Sequence, residues 1–263
     1  MDLGLSGRVA LVGASSKGLG RAIAERLAAE GADLVLCART EATLREVRDR
    51  IAASSGRTVI AVPADLSRSE DAERVVATAL AELGRIDVLV TNTGGPPPGR
   101  FEAHAPAAWE QAVRQLLFSV LALVRGVLPG MKERRWGRIL NVTSIAVKEP
   151  VENLILSNSV RAAVTGFART LANEVGGEGI TVNNLMPGYF GTDRIHTLAQ
   201  ATATRDGVSA EEVLARYAAR VPVGRVGDPP EFGAVAAFLV SEHASYITGQ
   251  SIAVDGGRAG GLL

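Results

Sequence analysis

The stretch Val9-Ala10-Leu11-Val12-Gly13-Ala14-Ser15-Ser16-Lys17-Gly18-Leu19-Gly20, continuing into Arg21-Ala22-Ile23-Ala24-Glu25-Arg26-Leu27, reads as a strand, a glycine turn and the start of a helix. Its opening apolar run suits a strand covered on both faces. Gly18 and Gly20 let backbone approach a ligand phosphate and let the helix pack closely on the strand, while the helix N-terminus offers unpaired N–H groups to an anion. A glycine pattern alone is a weak signal. Its placement between a strand and a helix strengthens it.

Working outward, short apolar runs alternate with amphipathic stretches: RVALVG, ADLVLCA, TVIAVPA, IDVLVTN, GRILNVTS and GITVNNLMP, between Arg8 and Pro187. A final strand, Ser251-Ile252-Ala253-Val254, follows a helix predicted from Pro230 to Val240. This rhythm predicts repeated βα units with right-handed crossovers. The fold class expected is therefore α/β: one doubly wound parallel sheet, a Rossmann fold, with helices on both faces. No linker divides the chain, and 263 residues with 47% hydrophobic content suffice for one core. Two stretches break the rhythm, Gly94-Gly95-Pro96-Pro97-Pro98-Gly99 and an insertion over about residues 191–225. Both are expected as loops or lids beyond the carboxyl ends of strands, where open α/β sheets bind ligands, and the insertion is the candidate substrate cover.

Composition narrows the partners. Basic and acidic residues balance at 28 each, so no overall field draws in nucleic acid or an anionic membrane. Small molecules or further copies of the chain are the partners expected. Cys37 is the single cysteine, which excludes an internal disulfide and a Cys-rich metal site, fits a reducing compartment and suggests a buried strand position. The first residues, Met1-Asp2-Leu3-Gly4-Leu5-Ser6, do not form a basic segment followed by a long apolar run, and a cytoplasmic location is expected. Gly-x-Ser-x-Gly, His-Glu-x-x-His and Walker patterns do not occur, which sets hydrolase and metalloenzyme chemistry aside.

About twenty residues past the glycines, NAD-binding sites place an acid on the ribose 2′-hydroxyl, whereas an Arg nearby accommodates a 2′-phosphate. Here the position holds Arg39, and Lys17 in the turn adds a second cation. The pair predicts NADP(H) over NAD(H), since charged donors suit phosphate. The competing reading, two solvated surface cations, fits their joint placement less well.

The turn resembles the Thr-Gly-x-x-x-Gly-x-Gly pattern of the short-chain dehydrogenase/reductase family, with Gly13 and Ala14 where Thr and the first Gly usually stand. Ala14 fits such a turn if its φ is negative. Further landmarks fall in register: Asp65-Leu66, Asn92-Thr93-Gly94, Pro187-Gly188 with Thr192, and Val254-Asp255-Gly256-Gly257. The branch most similar is the 3-oxoacyl carrier-protein reductases. The resemblance implies cofactor contacts from Gly13, Ser15, Ser16, Lys17, Gly18, Leu19 and Gly20. It implies that Asp65 and Leu66 flank the adenine, that Asn92, Thr93 and Gly94 lie along the dinucleotide, and that Pro187, Gly188 and Thr192 line the nicotinamide. It also implies a homotetramer built on helices around 109–132 and 153–174.

The family's catalytic set is a Ser, a Tyr thirteen positions later, a Lys four beyond that, and an Asn on an earlier helix. Counted from Ser144, these fall on Ser157, Arg161 and, for the Asn, Leu116. The Tyr would protonate the carbonyl oxygen as hydride arrives. Ser157 is too weak an acid to replace it, and loss of a positioned acid costs roughly 10²–10⁴-fold. Arg161 keeps a charge that can hold the nicotinamide ribose but cannot exchange protons near neutral pH. Leu116 cannot hold a relay water. Ser144 remains as a substrate contact or a structural cap, while Ser157 fits a buried helix position. Among substitute acids Tyr189 ranks ahead of Lys148 and His196, each of which also has an ordinary role as pocket wall or surface group. His104 and His243 are expected at an exposed turn and a helix end. Two functions follow: a keto reductase with an unusual proton source, or a catalytically silent NADP(H)-binding protein.

Overall fold

The computed structural model describes residues 1–261. β1 (Val9–Gly13) leads into α1 (Gly18–Ala29), β2 (Asp33–Ala38) into α2 (Glu41–Ser55), and β3 (Val59–Pro63) into α3 (Ser69–Leu83). β4 (Val88–Thr91) precedes α4 (Pro106–Val113), which runs through a π-helical turn, Arg114–Phe118, into α5 (Ser119–Glu133). β5 (Gly137–Val142) is followed by α6 (Ile155–Val175), and β6 (Ile180–Pro187) by α7 (Asp193–Asp206) and α8 (Ala210–Ala219). α9 (Pro229–Leu239) and β7 (Ser251–Val254) complete the chain.

The seven strands are all parallel, in the order β3-β2-β1-β4-β5-β6-β7. This is the predicted doubly wound sheet in a single domain. Strand side chains alternate between two covered faces. Ala10, Val12, Leu34 and Leu36 face one layer with Ile23, Leu27, Leu44 and Phe232 from α1, α2 and α9. Leu11, Val35 and Cys37 face the other with Val75, Leu123, Val127 and Val164 from α3, α5 and α6. Burial of both faces explains why the strands read as unbroken apolar runs. Cys37 is wholly buried, and burial pushes its thiol up to about 12, so it is an inert core residue.

The sheet reverses direction of growth between β1 and β4, which opens a crevice at their carboxyl ends. The structure refines three expectations. The insertion over 191–225, expected as a loop or lid, is helical: it folds into α7 and α8, whose buried Ala199, Ala203 and Val213 form a small core of their own. The helix expected around 153–174 runs Ile155–Val175, which puts Ser157 inside its first turn. The helix expected at Pro230–Val240 runs Pro229–Leu239, started by an Asp228–Glu231 capping box. The helical run Pro106–Glu133 is long and apolar enough to cross a membrane by length and composition. Here its inner residues Leu123, Val124 and Val127 pack into the core beneath the sheet.

Candidate active site

A cleft of about 1100 Å³ lies over the carboxyl ends of the strands. It is lined by the glycine turn, the ends of β2 and β4, the loop after β5, Pro187 and Gly188 after β6, and the inner faces of α7 and α8. At one end the site is mostly backbone. A Cβ on Gly20 would strike the Ala14 carbonyl and come within 2.7 Å of Asn92 Nδ2, so only glycine lets α1 approach the turn. A Cβ on Gly13 would lie 2.5 Å from the Asn92 carbonyl oxygen. Asn92 Nδ2 donates to the Gly13 carbonyl at 3.2 Å and ties β4 to β1 across the reversal point. The N-cap residue of α1, Lys17, makes no side-chain cap bond, which leaves the first N–H groups available to an anion. These features fit a dinucleotide pyrophosphate.

Ala14 departs from expectation. Its φ is +46°, in the left-handed region, and its side chain lines the cleft. The turn needs that conformation whether or not glycine supplies it, at a cost of about 1–2 kcal/mol. Ser15 also differs from its expected role: it is fully buried, and its hydroxyl donates to the Cys37 carbonyl at 3.3 Å. It fastens the turn to β2 and does not line the cleft, whereas Ser16, Lys17, Gly18 and Leu19 do.

Arg39 is exposed at the mouth of this end, beside Thr40 and across from Ala64, Asp65 and Leu66. Asp65 is turned onto its own loop, accepting from the Ser67 N–H at 3.0 Å and hydroxyl at 2.9 Å. Lys17 reaches over the cleft instead of toward Arg39. Its ammonium donates to Asp193 of α7 at 2.7 Å, and that bond holds the Asp193 carboxyl below the usual carboxylate range. Both side chains are about 70% exposed, at 71% and 72%, so the bridge is worth little energetically. Thr192 sits over Gly18, its methyl 3.4 Å from where a Cβ would stand.

At the other end side chains take over. Ser144 follows β5, and its Oγ accepts from the Ala146 N–H at 3.1 Å, so it caps the next turn with its own proton left to donate. Tyr189 follows β6, the hydrogen-bonded neighbour of β5, and lines the same cleft. Its ring stacks on Tyr217 of α8 at 4.5 Å and lies under the Arg258 guanidinium. The Tyr217 hydroxyl and Thr202 Oγ1 are 3.3 Å apart, which steadies the pair.

Ser157 is buried, and its Oγ accepts from Arg161 Nε at 3.2 Å. Arg161 also donates to the Val142 carbonyl at 2.8 Å. Burial, with the positive charge of Arg194 adding to it, holds the Arg161 guanidinium down to about 10, still charged at neutral pH. Leu116 is sealed in an apolar cluster with Ala112, Leu156 and Val160. The π-turn around it persists, and Gln115 next to it donates to the Gly94 carbonyl at 2.8 Å. Lys148 and His196 are exposed and lie outside the main cleft. His104 is half-buried against Gly99 rather than exposed, and His243 bonds the Asp2 carbonyl at the surface as expected. Sequence reading missed Arg194, Gln115, Tyr217 and Arg258, all of which line the cleft. Arg194 was detectable, two residues past the Thr192 landmark.

A parallel sheet with a glycine turn at its reversal point, a free helix N-terminus and an Arg past the second strand defines a dinucleotide-binding protein of the doubly wound class. More particularly, the chain belongs to the short-chain dehydrogenase/reductase family: the family model described as enoyl-(acyl carrier protein) reductase matches residues 13–259. It is 32% identical over 254 residues to the NADPH-dependent reductase BacG of Bacillus subtilis, covering 96% of this chain and 98% of that protein. It is 34% identical over 257 residues to the 3-oxoacyl-[acyl-carrier-protein] reductase FabG of Vibrio cholerae, covering 97% and 98%. The crystal structure of L-sorbose reductase from Gluconobacter frateurii, complexed with NADPH and L-sorbose, superposes over 100% of both chains with a TM-score of 0.95 at 33% identity.

Proposed function

We propose that this protein is an NADP(H)-dependent oxidoreductase that reduces a keto group, with 3-oxoacyl thioesters among its candidate substrates and a proton source unlike its family's. Bound NADPH would supply a hydride to the carbonyl carbon. Ser144, whose oxygen lone pair is engaged by Ala146, keeps its own proton to donate to the carbonyl oxygen. Tyr189 donates the proton in the chemical step, its ring held against Tyr217. Arg161 holds the nicotinamide ribose, and Arg39 with Lys17 takes the 2′-phosphate once the phosphate competes for Lys17 against Asp193. Pro187, Gly188, Thr192, Asn92, Thr93 and Gly94 line the nicotinamide side, and Asp65 and Leu66 the adenine side.

The observation that carries this reading is the single cleft running from a phosphate-sized glycine turn to a Ser and a Tyr past adjacent strands. The test is NADPH oxidation by purified protein over ketones, aldehydes, imines and ketoacyl thioesters. Turnover of at least one class is expected; none at saturating NADPH removes the proposal.

A second reading, a catalytically silent NADP(H)-binding protein, draws on Leu116 and Ser157. The first is packed in an apolar cluster and the second is engaged by Arg161, so the family's relay cannot re-form in place. Tight NADPH binding with no turnover is its signature. In either case we place the protein in the cytoplasm as a homotetramer. Phe118, 51% exposed at the end of the π-helical turn before α5, supplies apolar surface for a symmetric interface. Sedimentation giving a monomer at working concentration removes that assembly.

A further inference from the structure

Positive charge is concentrated in the cleft. Eight Lys and Arg side chains line it against five Asp and Glu, in a chain where the two kinds balance at 28. The acids are engaged. Asp193 takes Lys17 at 2.7 Å, Asp206 takes Arg205 at 2.7 Å, Glu152 takes Arg100 at 3.2 Å, and Glu149 lies 3.8 Å from Arg258. Asp65 is bonded to Ser67.

Two half-buried cations face the cavity with no carboxylate partner among the described residues. Arg194, in the first turn of α7, donates Nη2 to the Pro96 carbonyl at 2.9 Å. Its guanidinium lies against Gly95, its carbon 2.7 Å from where a Cβ would stand, so only glycine admits it there. Arg161 spends its contacts on Val142 and Ser157. A guanidinium has five N–H donors, so each keeps donors to spare. Burial lowers the pKa of both, and the charge of Arg194 is felt at Arg161. A partly desolvated cation without a counter-ion is costly until an anion joins it, and a second cation lining the same cleft adds to that cost.

Their position separates this anion from the cofactor's 2′-phosphate. Arg39 stands past β2, whereas Arg161 is bonded to the end of β5 and Arg194 to the loop after β4, at the end of the cleft that holds Ser144 and Tyr189. We propose that Arg194 is a carboxylate subsite, the charge of Arg161 on the ribose adding to its field, and that the substrate is a keto acid whose carboxylate is fixed near its reacting carbonyl. A planar guanidinium with free donors matches a carboxylate in paired hydrogen bonds. The proposal rests on the reductase reading for what happens to the carbonyl, and is independent of it for binding.

The experiment uses acetoacetate, levulinate and phenylglyoxylate beside their methyl esters. Calorimetry on the protein loaded with NADP⁺, which cannot deliver hydride, measures binding alone; NADPH oxidation with the same compounds measures turnover. At least one acid is expected to bind about 10- to 100-fold tighter than its ester. Arg194→Met should remove that preference with ester and NADP⁺ affinity unchanged, and Arg194→Lys should restore part of it. Equal binding of acids and esters, or no binding of any acid, overturns the proposal. So does a loss of NADP⁺ affinity in a folded Arg194→Met protein, which would assign the guanidinium to the cofactor. Tighter Arg194-dependent binding of a ketoacyl coenzyme A thioester than of every acid also overturns it, because the anion would then be a phosphate. The acid and ester comparison in the unaltered protein decides by itself if the variant does not fold. Acid-selective binding without turnover keeps the subsite and removes the reductase reading; turnover with no acid preference does the reverse.

Discussion

The two ends of the cleft are built on different principles. The end over β1, β2 and β4 is made of backbone: two glycines where a Cβ would collide, a helix N-terminus and an Asn that bonds a carbonyl across the reversal point. The end over β5 and β6 is made of side chains, among them Ser144, Ser157, Arg161 and Tyr189, and in the reading proposed above Ser157, Arg161 and Leu116 stand where the family carries Tyr, Lys and Asn. A phosphate cradle needs a shape, which tolerates Ala14 at the cost of some strain. Proton transfer needs a particular atom, and exchanging the residue that carries it changes the chemistry.

The largest effect should come from breaking the backbone end. Gly20→Val would push a side chain into the Ala14 carbonyl and Asn92, and NADPH binding measured by calorimetry should vanish. A folded variant that binds NADPH as before would show that the turn is not the cradle. Next, Tyr189→Phe should lower kcat by about 100-fold or more while NADPH affinity stays constant; an unchanged rate removes Tyr189 as the acid. Arg39→Ala should weaken NADPH about 10-fold and leave NADH untouched. Equal weakening of both would assign Arg39 a role other than reading the 2′-phosphate.

Smaller effects test strain and charge. Ala14→Gly relieves a positive φ at the expense of chain entropy, and should raise stability by about 0.5–1 kcal/mol in denaturant unfolding. A loss of stability would mean that the alanine methyl contributes more packing than its backbone costs. The smallest concerns Asp193. Its folded pKa lies below its unfolded one because of Lys17, so its contribution is complete above the ordinary carboxylate range and is lost as pH falls through the lowered value. Lys17→Met should return the Asp193 titration, followed by NMR, to the ordinary range. With NADPH bound, a rise of the same kind in the unaltered protein would show Lys17 transferred to the phosphate.

The seven strands were readable because sheet faces buried on both sides demand unbroken apolar runs, and each run appeared in the right order. The places of Gly18, Gly20, Asn92 and Arg39 around the glycine turn were readable because they depend on position along the chain. The lid helices were harder to see. The cluster that α7 and α8 share buries Ala199, Ala203 and Val213, small residues that leave little apolar signal in the sequence. The place of Ser15 in the turn suggests a cofactor contact, but its hydroxyl turns inward to donate to the Cys37 carbonyl.

By itself the sequence determined the parallel doubly wound sheet, the glycine turn at its reversal point and the cation past β2. These are local patterns and spacings, which the chain carries before it folds. Tertiary structure decided the positive φ of Ala14, the bridge from Lys17 to Asp193, the stacking of Tyr189 on Tyr217, and the placing of Arg161 and Arg194 in one cleft. Each of these depends on residues far apart in sequence or on the space that neighbouring elements leave, and neither is written into any one segment.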